Sequence, residues 1–66
     1  MKAGDKVTGE LFDTGTVVDV GTARSLEKWD PSGACFELEP STPCVAVAAD
    51  PDGSIAVYVA SEVYDA

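Results

Sequence analysis

The chain has no histidine, and among its 66 residues there are only four lysines and arginines, two cysteines and one tryptophan. Without an imidazole there is no general base for a Ser–His or Cys–His pair, and no histidine ligand for a metal. Cys35 and Cys44, nine residues apart, fall short of the four ligands of a structural zinc site. The basic residues Lys2, Lys6, Arg24 and Lys28 are scattered against twelve Asp and Glu, which gives a net charge of −8. Such a chain cannot supply the counterion release that drives nucleic-acid binding, and it is repelled by anionic membrane surfaces. No run approaches the roughly 18 apolar residues of a membrane-spanning helix. The opening MKAGDKVTGE lacks the apolar stretch of a signal peptide, so a cytoplasmic protein is expected.

Length sets a further bound. A chain of this size buries only about 60% of the surface it exposes when unfolded, and a substrate cleft of roughly 300 Å³ or more would hollow out its core. We therefore expect one domain over 1–66, no enzymatic activity and no cofactor. In a reducing compartment Cys35 and Cys44 read as buried thiols; export would make a disulfide the alternative.

What the chain does have is strand signal. Val and Thr recur, Gly and Asp punctuate at short intervals, and apolar residues alternate. In KVTGELF, Val7, Gly9 and Leu11 share one face. Asp13–Gly15 reads as a turn, and TVVDV follows with Val18 and Val20 on one face and Val17 and Asp19 on the other. These two strands are expected to form an antiparallel hairpin. A second hairpin is expected where CVAVAA and SIAVYVA flank DPDG, a tight turn ending on a glycine at positive φ. Val45, Val47, Ile55, Val57 and Val59 then join Val7, Leu11, Val18 and Val20 as the expected core. Ala46, Ala48, Ala56, Ala60 and Tyr58 are left on the reverse face.

Between the hairpins, Thr22 to Pro43 is irregular. TARSLEKW has the composition of a short helix capped by Thr22, DPSG stops it, and ACFELE alternates as a strand with Glu37 and Glu39 on one side. The fold class expected is all-β.

The opening KAGDKVTG, the segment TGTVVDV, the Val-rich strand, the DPDGS turn and the tail VASEVYDA resemble the small SH3-like barrels of bacteria and their phages. In that family a Gly-Asp-Lys/Arg-Val opening starts the first strand and a Gly-Thr-Val-Val segment forms the second. An Asp-x-Gly hairpin precedes a short tail bearing Leu or Val, here Val63. The likeness covers about residues 3–21 and 44–64. It implies an SH3-like barrel of about five strands with a long insertion, 22–43, between the second and third strands. It also implies a phage-encoded protein acting on a host protein. The chain departs from the pattern where Ala48 and Ala49 replace an aromatic before the hairpin. It departs again where about twenty residues carrying Trp29 replace a short connection.

The candidate partner-binding residues are Leu26, Trp29, Phe36, Glu37, Glu39 and Tyr58. Trp is enriched at interface hot spots, and Trp29 and Phe36 lie in the inserted segment; the structural alternative is that Trp29 folds back over the open end of the barrel. Asp50 and Asp52 superficially resemble a calcium loop but lack its third acidic position and distal Glu, so no metal is expected. Glu37 and Glu39 read as a solvated edge. The function expected is a non-enzymatic acidic module that binds another protein of basic surface. Two alternatives are an acidic nucleic-acid mimic inhibiting a DNA- or RNA-binding enzyme and a self-assembling structural subunit, since open strand edges favour homo-oligomers.

Overall fold

Five short strands, each bounded by turn residues, form a single antiparallel sheet in the computed structural model, which describes residues 1–30 and 37–66. They are β1 (Lys6–Gly9), β2 (Thr14–Thr22), β3 (Pro43–Ala49), β4 (Ser54–Val59) and β5 (Val63–Asp65), in the spatial order β4-β3-β2-β1-β5. The described residues contain no α-helix; Glu27–Trp29 and Ala60–Glu62 are 3-10 turns. No helix among them is long and apolar enough to cross a membrane.

Both expected hairpins are present. β1 pairs with β2, Val7 lying opposite Gly15, and β3 pairs with β4 from Ala49 opposite Ser54 to Cys44 opposite Val59. In the tight turn between β3 and β4, Gly53 has φ +75° and its N–H donates to the Ala49 carbonyl at 2.8 Å. Asp52 steadies the same turn by accepting from the Ser54 amide at 3.0 Å and hydroxyl at 2.7 Å.

Only three residues, Ala60–Glu62, link β4 at one edge of the sheet to β5 at the other. In a flat sheet those two edges would stand about 19 Å apart at the usual strand spacing. A 3-10 turn of this length spans only about 8 Å, so the sheet must curl until its edges approach at this turn. The curl is not closed by hydrogen bonds: β5 pairs with β1, and no ladder joins it to β4 among the described residues.

A β-bulge at Val18 corrects the expected facing of β2. Val17 lies opposite Val47 and Asp19 opposite Ala46, so Val18 is the extra residue. One inserted residue flips everything beyond it to the other face. Val17 and Val20, opposite Val47 and Val45, therefore share the core face while Asp19 takes the other. Val17 is buried, Val18 is half-buried, and Val20 is 44% exposed on that shared face. Leu11 is also displaced from the expected core, at 72% exposure. β1 ends at Gly9, whose N–H donates to the Phe12 carbonyl at 3.3 Å. That turn throws Leu11 outward and brings Phe12 back over the sheet.

The apolar residues form two clusters. Val7, Val17, Val45, Val47 and Val63 make the first, with Phe12, Tyr58 and Ala60 packed against it. Ala23, Leu26 and Cys44 make the second, with Trp29, Leu38 and Val57. β3 runs between them, and its residues Cys44, Val45, Ala46 and Val47 are all buried. Consequently the expected small-residue face of β3 is no free surface. Register also separates Ile55, Val57 and Val59 of β4 from Val45 and Val47: Tyr58 lies opposite Val45, and Val57 lies opposite Ala46.

Candidate partner-binding surface

The segment after β2 is turned by a reciprocal side-chain clasp. The Ser25 amide donates to Thr22 Oγ1 at 3.2 Å, and the Thr22 amide donates to Ser25 Oγ at 2.8 Å. Thr22 thus caps the turn as expected, but the chain tightens into turns and a 3-10 element in place of a helix. Leu26 and Trp29 are brought onto the second cluster by this winding, the Trp29 N–H donating to the Leu26 carbonyl at 2.9 Å. Residues 39–42 close against it: the Ala23 amide donates to the Thr42 carbonyl at 2.9 Å and the Arg24 amide to the Pro40 carbonyl at 3.2 Å.

Trp29 spends its polar edge within the molecule. Its indole Nε1–H donates to Asp19 Oδ2 at 3.1 Å, and Lys28 Nζ lies 3.9 Å from the same oxygen. Lys28 Nζ also stands 6.0 Å from the indole centroid, at the outer range of a cation–π contact. The Asp19 carboxyl is held below its ordinary range first by the indole hydrogen bond, then by the Val20 amide, with Lys28 adding a smaller pull. The bulge makes this arrangement available, because it turns Asp19 toward the face where Trp29 lies.

On the opposite face Tyr58 and Phe12 form a tilted aromatic pair, ring centroids 4.7 Å apart at 41°, a geometry that adds to their area burial. A β-carbon at Gly9 would stand 2.6 Å from Phe12 Cε1, so glycine leaves the room in which that ring lies. Val20, Val45 and Tyr58 occupy one row across β2, β3 and β4.

Of the six residues singled out from the sequence, the five described ones do not converge. Leu26 is 1% exposed and belongs to the core, which removes it from any contact surface. Trp29 is half-buried with its N–H engaged, while Tyr58 is half-buried on the other cluster. Glu37 and Glu39 are both exposed but lie on no strand, so the expected same-face alternation is absent. Phe36, with Cys35, lies outside the described residues. Sequence reasoning missed Asp19 and Phe12, and placed in the core Val20, which is 44% exposed. The Val-Val-Asp-Val run is the only local signal of the bulge that turns Asp19 off the face of Val17, and Leu11, not Phe12, was the expected core residue.

Cys44 is fully buried, and burial pushes its thiol pKa up, so its thiolate is disfavoured. The described residues enclose no pocket and contain no cluster of three or more metal-ligating side chains. No family model, curated protein or solved structure matches the chain.

Proposed function

We propose that this chain is a small acidic protein-binding module on an SH3-like barrel, working by contact with a partner of basic surface. The curled five-stranded sheet, with its edges drawn together by the 3-10 turn Ala60–Glu62, supports the barrel reading. The observation that carries the functional reading is the charge surplus. If every lysine and arginine were matched to one carboxylate, eight of the twelve would still lack a basic partner within the chain. Among the described residues, Asp19 and Asp50 meet lysines at 3.9 Å and 3.8 Å, the lysines well exposed and the carboxylates partly so, where an ion pair is worth little. The surplus is thus available to a complementary surface, where it steers encounter and selects the sign of the partner.

Affinity capture from the native host's lysate at about 50 and 200 mM salt, spanning strong and weak screening, tests this reading. A basic protein should be retained at the lower salt, and the paired substitution Glu37→Lys with Glu39→Lys should weaken it. A captured nuclease or polymerase that duplex DNA displaces would shift the reading to nucleic-acid mimicry. Capture only of further copies of the chain would shift it to self-assembly.

A further inference from the structure

The two edges of the sheet differ in a way that bears on how a basic partner would be held. β5 is three residues long, ends on Asp65 and is preceded by Glu62. Short length and charge are the usual protections of an exposed edge. β4 is twice that length, reads SIAVYV, and carries no charge and no proline. Its inner side is taken up by β3 along its whole length. On its outer side, no backbone hydrogen bond reaches Ser54–Val59 among the described residues. In an antiparallel strand every second residue directs both N–H and C=O outward, so this edge presents a row of donors and acceptors that no described residue fills.

Acidic groups flank that uncharged row. Asp50 and Asp52 stand in the turn before it, and Glu62 stands in the 3-10 turn after it. Asp50 accepts from Thr14 Oγ1 of β2 at 3.0 Å, with Lys6 at 3.8 Å, so Asp52 and Glu62 are the carboxylates beside the β4 edge. This distribution discriminates between occupants. A second copy pairing antiparallel through β4 would bring the Asp50–Asp52 turn of each chain beside Glu62 of the other, acid against acid between two chains of net charge −8. An extended segment with apolar residues in its middle and lysine or arginine at its ends meets no such repulsion, and its ends find carboxylates. We infer that β4 is a docking edge, on which an extended basic segment of the partner adds as a sixth strand. The inference rests on the acidic-module reading above and supplies its mode of recognition: main-chain hydrogen bonds for affinity and end charges for selection.

The test uses the full chain and two synthetic peptides. One is a threonine–valine alternation about six residues long, the length of an ordinary strand, flanked by two lysines at each end. The other has the same sequence with its central amides N-methylated, which keeps every charge and removes the donors. The first peptide should bind, and it should slow amide hydrogen exchange at alternate residues within Ser54–Val59. The second should bind at least about tenfold more weakly, the equivalent of losing two or more backbone hydrogen bonds. Equal binding of both peptides with β4 exchange unchanged would overturn the docking edge and leave the acidic-module reading standing. Failure of both peptides to bind at low salt would count against both. Alternate amides of β4 already protected in the free monomer would show the edge covered by the chain itself. Protection that appears with dimerisation would assign it to a second copy; either result overturns the inference.

Discussion

The two apolar clusters on either side of β3 are assembled by different means. The first, Val7, Val17, Val45, Val47 and Val63, draws every member from a strand, and cross-strand register brings them together. The second draws only Cys44 among its buried members from a strand; Ala23 and Leu26 arrive from the turn after β2. The first therefore stands or falls with the ladders. The second depends on a clasp between Thr22 and Ser25, on the hydrogen bonds to residues 40–42, and on the indole of Trp29 anchored to Asp19. Valines on paired strands need only the right alternation, whereas a turn residue reaches a core only if several local hydrogen bonds aim it.

The largest expected effect would strike the second cluster. Leu26→Ala removes its one large buried aliphatic side chain and should cost about 2–5 kcal/mol, a large share of the roughly 3–10 kcal/mol expected for a chain of this length. Urea unfolding would measure the loss. A loss below about 1 kcal/mol would mean that the turn collapses to fill the space and that the second cluster is soft.

Val47→Ala is the counterpart in the first cluster. Two methylenes' worth of buried surface predicts a loss of about 2 kcal/mol, and because Val47 is held in the middle of two ladders, little collapse is expected. The comparison breaks if Val47→Ala costs more than Leu26→Ala.

Cys44 reports on the second cluster without perturbing it. Fully buried and with its thiol pKa raised, it should resist alkylation in the native protein. Leu26→Ala should speed its labelling more than Val47→Ala does once both are compared at equal overall stability. Mass spectrometry resolving Cys44 from Cys35 would check this. Equal acceleration would show that the clusters open together as one unit.

The smallest effect concerns pH. Because Asp19 titrates below its ordinary value in the fold, the unfolded chain takes up its proton first as pH falls. Its stabilising contribution is complete above the ordinary carboxylate pKa of about 3.9 and is lost as pH falls through the lower folded value. Trp29→Phe deletes the indole donor that contributes most to this shift, so the acid-limb loss of stability should become shallower. An unchanged acid limb would remove the Trp29–Asp19 hydrogen bond from the account.

Much of the first cluster was legible before the structure. Period-two alternation marked β1 to β4, and the Asp-Pro-Asp-Gly turn, with Gly53 at positive φ, fixed the register between β3 and β4. Facing was less legible. The side-chain period of a strand is two, so the single bulge at Val18 brought Val17 onto the face of Val20 and turned Asp19 off it, and nothing local distinguishes Val17 from Val18 as the residue to bury. The alternation of ACFELE did not yield a strand over Glu37–Glu39, because a local apolar–polar pattern becomes a strand only when cross-strand packing supports it. The candidate site fared least well. Leu26 and Trp29 were expected as partner-binding residues, but Leu26 is core and the roles of both depend on which face of β3 the turn covers.

The sequence by itself determined the charge, the all-β class and the positions of the tight turns, because each follows from composition or from residues within a few positions of one another. Tertiary structure alone decided that β3 is buried on both faces, that Asp19 meets Trp29, and that β4 and not β5 keeps a long uncharged edge unpaired among the described residues. Those outcomes depend on strand order, on one inserted residue and on a three-residue link too short to leave the sheet flat. All three act between residues distant in the chain, beyond the reach of any local pattern.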